Sequence, residues 1–181
     1  MRLFIGIPLA ATVTNELSSV SLRLRSTENG LRWSAPETWH ITLQFLGNTT
    51  ADQHACIVDH LRELRFRPLS IQFDSVGFFD RAGVFFAAVA LTPELLSLQQ
   101  RVVTASSLCG FSPETRPYHP HITLARTKGK GGKQSLVKLK NSIRTQPHFT
   151  SFSAEEFVLY ESFLKPSGSQ YIIRDRFPAR H

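Results

Sequence analysis

Apolar positions change spacing repeatedly along the 181-residue chain. "RLFIGIPL" (2–9) is an apolar run bounded by proline and predicts a strand. Val13, Leu17, Val20 and Leu24 fall on one face of a helix. "GLRWSAPETW" (30–39), punctuated by Gly and Pro, reads as a loop. "HITLQFL" (40–46) is the next strand, ended by Gly47, and Ile57, Leu61 and Leu64 mark a second helix. "LSIQFDSVGFF" (69–79) and "VFFAAVAL" (84–91) predict two strands around the turn "DRAG" (80–83). Thr92-Pro93 opens a third helix with a capping hydroxyl and a proline at the first helical position. Leu95, Leu98, Val102 and Ala105 continue it, and Gly110 ends it. "FSPETRPYHP" (111–120) is a loop and "HITLAR" (121–126) a strand. "TKGKGGK" (127–133) reads as a mobile basic loop. Leu136, Leu139 and Ile143 suggest a fourth helix, and "FSAEEFVLYESFL" (152–164) and "SQYIIRDRF" (169–177) close the chain as strands.

The two halves run loosely parallel, each with a helix, a proline-containing loop and a strand that begins His-Ile-Thr-Leu. A His-led tetrapeptide repeat arises by chance in about 1% of such chains. Short links between mixed strands and helices argue an α+β fold with antiparallel sheets. The length suits one domain, or two small lobes sharing a core.

Side chains alternate faces along a strand, so His40 and Thr42 share one face while Ile41 and Leu43 take the other. His121 and Thr123 repeat this against Ile122 and Leu124. If the halves are related by a pseudo-two-fold axis, both polar faces open on one cleft, with the histidines on adjacent central strands. One imidazole can take a proton from water while the other gives one to a leaving oxygen. The threonines can donate to phosphoryl oxygens, and Arg126 can neutralise charge there. By strict alternation Arg126 points with Ile122 and Leu124, so it needs a strand end or a bulge to reach the cleft. The plainer reading of a lone His-x-Thr is a half-buried polar strand face.

Net charge is +7, which favours anionic partners such as RNA or nucleotides, although surplus cations also simply solvate a surface. Cys56 and Cys109 sit in helical patterns and read as buried free thiols, in keeping with a reducing cytoplasm. "VFFAAVAL" is too short to span a bilayer. "MRLFIGIPLAATV" is a poor signal peptide because Pro8 interrupts it. No GxGxxG or P-loop pattern is present. His119 and His121 are two apart, but no acidic residue or cysteine joins them at metal-ligand spacing, so no metal or other cofactor is expected. His54, His60, His148 and His181 look like surface residues. Among aromatics able to stack a base, Trp33 and Tyr118 stand out because they sit in loops, whereas Phe45 and the other strand aromatics read as core.

The paired His-x-Thr-x motifs at 40–43 and 121–124 resemble those of the two-histidine (2H) phosphoesterase superfamily. "LRWSAPETWHITLQFLG", "FSPETRPYHPHITLAR" and "LYESFLKPSGSQYIIRDRF" resemble the bacterial RNA 2′,3′-cyclic phosphodiesterases, the 2′-5′ RNA ligase or LigT-like family, over nearly the whole chain. The resemblance implies a single bilobal α+β domain over 1–181, with two pseudo-symmetric, mainly antiparallel sheets facing a central cleft and helices outside. It implies metal-independent opening of terminal 2′,3′-cyclic phosphates of RNA or cyclic nucleotides to 2′-phosphates, and 2′-5′ joining in reverse. It gives His40 the role of proton donor and His121 that of proton acceptor, and makes Thr42, Thr123 and Arg126 phosphate contacts. Gln44 departs from the family pattern and bears on substrate preference. A monomeric, cytoplasmic protein with no membrane partner is expected. The alternatives are a 2H enzyme for another small cyclic phosphate or a 2′-5′ oligonucleotide, and a non-catalytic RNA-binding module.

Overall fold

The computed structural model describes residues 1–25, 30–165 and 168–180. In chain order the elements are β1 (Arg2–Pro8), α1 (Ala11–Leu24), β2 (Leu31–Trp33), a 3-10 turn (Pro36–Thr38), β3 (His40–Asn48), α2 (Ala51–Arg62), β4 (Leu69–Ile71), β5 (Phe73–Phe79), β6 (Val84–Val89), α3 (Pro93–Leu108), β7 (His121–Thr127), α4 (Gly132–Ser142), β8 (Phe152–Ala154), β9 (Glu156–Lys165) and β10 (Gly168–Pro178). The helices begin where local chemistry provides a cap. Thr50 and Gln53 form a reciprocal capping box on α2, and the Thr92 hydroxyl accepts from Leu95 N at 3.2 Å on α3.

Two antiparallel four-stranded sheets, ordered β10-β9-β1-β3 and β2-β7-β6-β5, carry the molecule, with β4-β8 as a small third sheet. The α+β, antiparallel expectation therefore holds. The sequence suggested that the strands opening with His40 and His121 are adjacent central strands, but they belong to different sheets. β3 is an edge of the first sheet, and β7 lies inside the second because β2 caps it. Nor do the sequence halves coincide with the sheets. β9 and β10 return to the first sheet, while β2 crosses to the second.

Three local expectations change. Residues 31–33, read as loop, form β2, because their backbone pairs with 125–127 of β7. The run 69–79 splits at Gln72 into β4 and β5, which serve different sheets. The basic loop shrinks to 128–131: Lys128 N donates to Gly30 O at 2.8 Å, and Gly132 is buried at the start of α4. One continuous apolar core lies between the sheets and the helices, with Ile41, Leu43, Ile122 and Leu124 all buried in it. Among the described residues no helix is long and apolar enough to cross a membrane. His54 lies beside Asp175 and His148 is exposed, whereas His181 falls outside the described residues.

Cys56 and Cys109 are not free thiols. They form a disulfide between α2 and the end of α3, with Cα atoms 5.8 Å apart and a sequence separation of 53. The two helices pack side by side, so cysteines that look unrelated in sequence meet. The compartment argument drawn from free thiols falls with this. Closing a loop of that size limits the unfolded chain and contributes about 2–4 kcal/mol. Reduction, or Cys56→Ser, should lower the unfolding free energy by about that much in a urea titration. Identical curves with and without reductant would contradict the bridge.

Candidate active site

The two motif strands share an irregularity that alternation alone cannot foresee. In β3, Gly6 of β1 faces Thr42 and Ile5 faces Gln44, which leaves Leu43 as an extra residue. In β7, Phe86 of β6 faces Thr123 and Phe85 faces Ala125, which leaves Leu124 as an extra residue. Each is a β-bulge, and each resets which side chains face outward. After the bulge Phe45 emerges on the face of His40 and Thr42, and Arg126 on the face of His121 and Thr123. The alternation of buried and accessible residues is the same in 40–45 and 121–126. A bulge is what Arg126 required to reach the cleft.

His40, Thr42, His121, Thr123 and Arg126 all line one cleft of about 490 Å³. The two imidazoles are held alike. His40 Nδ1 lies 2.8 Å from Thr38 O, and His121 Nδ1 lies 2.7 Å from His119 O. A carbonyl only accepts, so each Nδ1 carries the hydrogen, and Nε2 is the nitrogen left for chemistry. His40 Nε2 lies 3.1 Å from Thr42 Oγ1 and, in the neutral ring, accepts from that hydroxyl.

Aromatic rings pack around both histidines. Phe4, Tyr160 and Tyr171 lie 4.6, 5.5 and 5.3 Å from the His40 ring. Phe79 and Phe86 lie 5.1 and 5.3 Å from the His121 ring. Burial among these rings pushes the His40 pKa down to about 4, against the pull of the Thr38 carbonyl, and positive charge on His121 adds to the depression. Burial likewise lowers the His121 pKa, helped by the charges of His119 and Arg126. Both imidazoles are therefore neutral in the empty cleft at pH 7.

The lining adds Arg2, Arg32 and Tyr171, which the sequence reading did not single out, and Phe45, which it counted among aromatics able to stack a base but read as core. Phe45, read as core, is 68% exposed at the cleft mouth. The signal that could have found it is its offset: it stands three residues after Thr42, as Arg126 stands after Thr123. Trp33 does line the cleft, packed edge-on against Phe85 at 5.9 Å. Tyr118 is tied down, donating to Thr42 O at 3.0 Å. Gln44 is 5% exposed and lies on the core side of β3, so it does not touch a ligand in the cleft. The lining includes no Asp, Glu or Cys among the described residues.

Residues 15–161 match the family model of the 2′-5′ RNA ligase superfamily, and the chain belongs to that superfamily. A Thermotoga maritima protein named RNA 2′,3′-cyclic phosphodiesterase is 32% identical over 176 residues, covering 94% of this chain and 91% of its own. An Archaeoglobus fulgidus protein of the same name is 29% identical over 174 residues, covering 94% and 96%. Among solved structures, E. coli LigT in apo form superposes with a TM-score of 0.84 at 25% identity, over 99% of this chain and 98% of that one. A Thermus thermophilus protein superposes at 0.82 and 25% identity over the full length of both chains.

Gly6 of β1 leaves room for the His40 ring. A Cβ there would lie 2.9 Å from Ile41 O and 3.3 Å from His40 Cδ2. Gly6→Ala should therefore displace the imidazole and lower kcat by about tenfold or more in a protein that still folds. Unchanged kcat in a folded variant would show that the ring tolerates the shift.

Proposed function

We propose that the protein is a metal-independent RNA 2′,3′-cyclic phosphodiesterase, which opens a terminal 2′,3′-cyclic phosphate to a 2′-phosphate and a free 3′-hydroxyl. The observation that carries this reading is the meeting, in one arginine-lined cleft, of two imidazoles whose Nδ1 atoms are both tied to backbone carbonyls. The names of the T. maritima and A. fulgidus relatives support the choice of substrate.

His121 acts as the base. Its Nε2 takes a proton from water as the water oxygen forms a bond to phosphorus. The P–O3′ bond breaks on the opposite side, and His40, protonated on Nε2, gives that proton to O3′. One proton is taken and one given, and exchange with solvent restores both rings. Thr42, Thr123 and Arg126 donate to the non-bridging oxygens, where charge develops. A 5′-hydroxyl in place of water would form a 2′-5′ link by the same displacement, which is how ligation would arise.

A neutral His40 in the empty cleft still suits an acid. The phosphate brings negative charge beside the ring, favours the imidazolium and frees the Thr42 hydroxyl to turn to the substrate. Substrate binding and proton uptake are then linked.

Among the described residues the cleft lining offers a divalent cation no carboxylate or thiolate, and its arginines repel one. Cys56, His60 and Cys109 form a cluster of metal-capable groups outside this lining, and two of them are bonded to each other. Turnover of cyclic-phosphate RNA should persist in EDTA. His40→Ala and His121→Ala should each lose about 10²–10⁴-fold in kcat. Thr42→Ala and Thr123→Ala should lose less, about 1.5–3 kcal/mol of transition-state stabilisation. Activity abolished by EDTA and restored by zinc, or threonine variants as inactive as the histidine variants, would sink the assignment.

The pH dependence follows from the signs. In the free enzyme both histidine pKa values lie below the ordinary 6.5, and that of His40 is about 4. One ring must be protonated and the other neutral, so kcat/KM should trace a bell centred below pH 6.5. The kcat profile should sit at higher pH, because bound phosphate raises the His40 pKa. A kcat/KM maximum above pH 7 would contradict this account.

A further inference from the structure

Arg32 on β2 stands directly opposite Arg126 on β7 in the antiparallel register. Both side chains are exposed and both line the cleft. Among the described residues neither has a carboxylate partner. Directly opposed side chains on one face of an antiparallel pair have Cβ atoms about 4.5–5.5 Å apart, where like charges repel. Such a pair costs stability in the empty protein unless an anion lies between the guanidinium groups.

The fold goes out of its way to create this pair. β2 is only three residues long, comes from the N-terminal part of the chain, and crosses to the second sheet to lie beside β7. The bulge at Leu124 turns Arg126 to the cleft at the position where Arg32 meets it. Arg126 lies about 7–10 Å beyond Thr123 along the strand, and Arg32 is displaced sideways from it by one ladder spacing. Arg32 is thus offset from the phosphate held by the threonines, by the order of one backbone step of an extended single strand. Arg126, with five donors, can face both positions.

An RNA chain that ends in a 2′,3′-cyclic phosphate has its nearest other phosphate on the 5′ side of the terminal nucleoside. We infer that Arg32, together with the outer edge of Arg126, binds that internucleotide phosphate, so that the cleft distinguishes an RNA end from a lone cyclic nucleotide. This subsite rests on the cyclic-phosphodiester reading of the same cleft. Its ligand class is a phosphodiester of the RNA backbone. The base at that position is not read, because guanidinium groups grip the phosphate alone.

The test compares two substrates: a 2′,3′-cyclic mononucleotide with a 5′-hydroxyl, and a dinucleotide ending in the same cyclic phosphate. In Arg32→Gln the ratio of kcat/KM for the dinucleotide to that for the mononucleotide should fall by about ten- to a hundredfold, mainly through KM. Arg32→Lys should recover part of it, since the charge is retained without the fork. Equal losses on both substrates would place Arg32 at the reacting phosphate, and an unchanged ratio would remove it from substrate binding; either result overturns the subsite. Calorimetric binding of the 2′-phosphorylated dinucleotide and mononucleotide products gives a readout independent of turnover. If neither substrate is turned over, the activity proposed above fails. A dinucleotide preference that Arg32→Gln abolishes would still support the subsite, and its absence from the wild type would overturn it. The ligand-free melting temperature of Arg32→Gln should equal or exceed that of the wild type, because a repulsion is relieved. A drop of several degrees would mark Arg32 as a prop for β2 instead.

Discussion

Leu43 and Leu124 each occupy a strand position with no partner across the ladder. Much of the cleft follows from this shared constraint. Before each bulge, strict alternation sends His and Thr outward and Ile and Leu into the core. After it the phase is reversed, so Phe45 and Arg126 reach solvent rather than the apolar interior. A guanidinium on the core side of β7 would be buried without a counter-charge, which folding could not accommodate. The same shift buries Gln44 with neither amide atom hydrogen-bonded, a loss of about 1–3 kcal/mol.

Function and stability pull in opposite directions around the cleft. Rings packed on His40 and His121 lower both pKa values, which costs stability once the pH falls below the ordinary 6.5 and the unfolded chain takes up protons that the folded rings refuse. Arg32 and Arg126, opposed in register and without a carboxylate partner among the described residues, repel one another. These costs are borne by the continuous core behind β3 and β7 and by the disulfide that ties α2 to α3. An anion between Arg32 and Arg126 would add the counter-charge that this pair lacks among the described residues.

Much of the fold was legible where the signal is local. The apolar periodicity of Val13 to Leu24, the Thr92-Pro93 start and the His-Ile-Thr-Leu repeat all led to elements of the expected type. What escaped depends on partners distant in sequence. β2 is too short to show a period and exists because β7 offers it an edge. Gly47, read as the end of its strand, has φ +72° yet β3 continues to Asn48. Its left-handed backbone sits beside a second irregularity at Leu46 rather than at a strand terminus. The two cysteines meet only because α2 and α3 pack together. Within the cleft, the facing of the histidines and threonines followed from alternation, whereas alternation pointed Arg126 to the core and only the bulge at Leu124 brings it out. Phe45 was hidden by its own hydrophobicity, and Arg32 by lying in what looked like a loop.

The central claim is that two differently placed imidazoles break one particular bond of a cyclic phosphate. Phosphorus NMR of the product from a short RNA ending in 2′,3′-cyclic phosphate tests it most directly. The account predicts a single 2′-phosphomonoester, formed in EDTA and absent when either His40 or His121 is replaced. A 3′-phosphomonoester, a mixture of the two, or the same product from the histidine variants would contradict it.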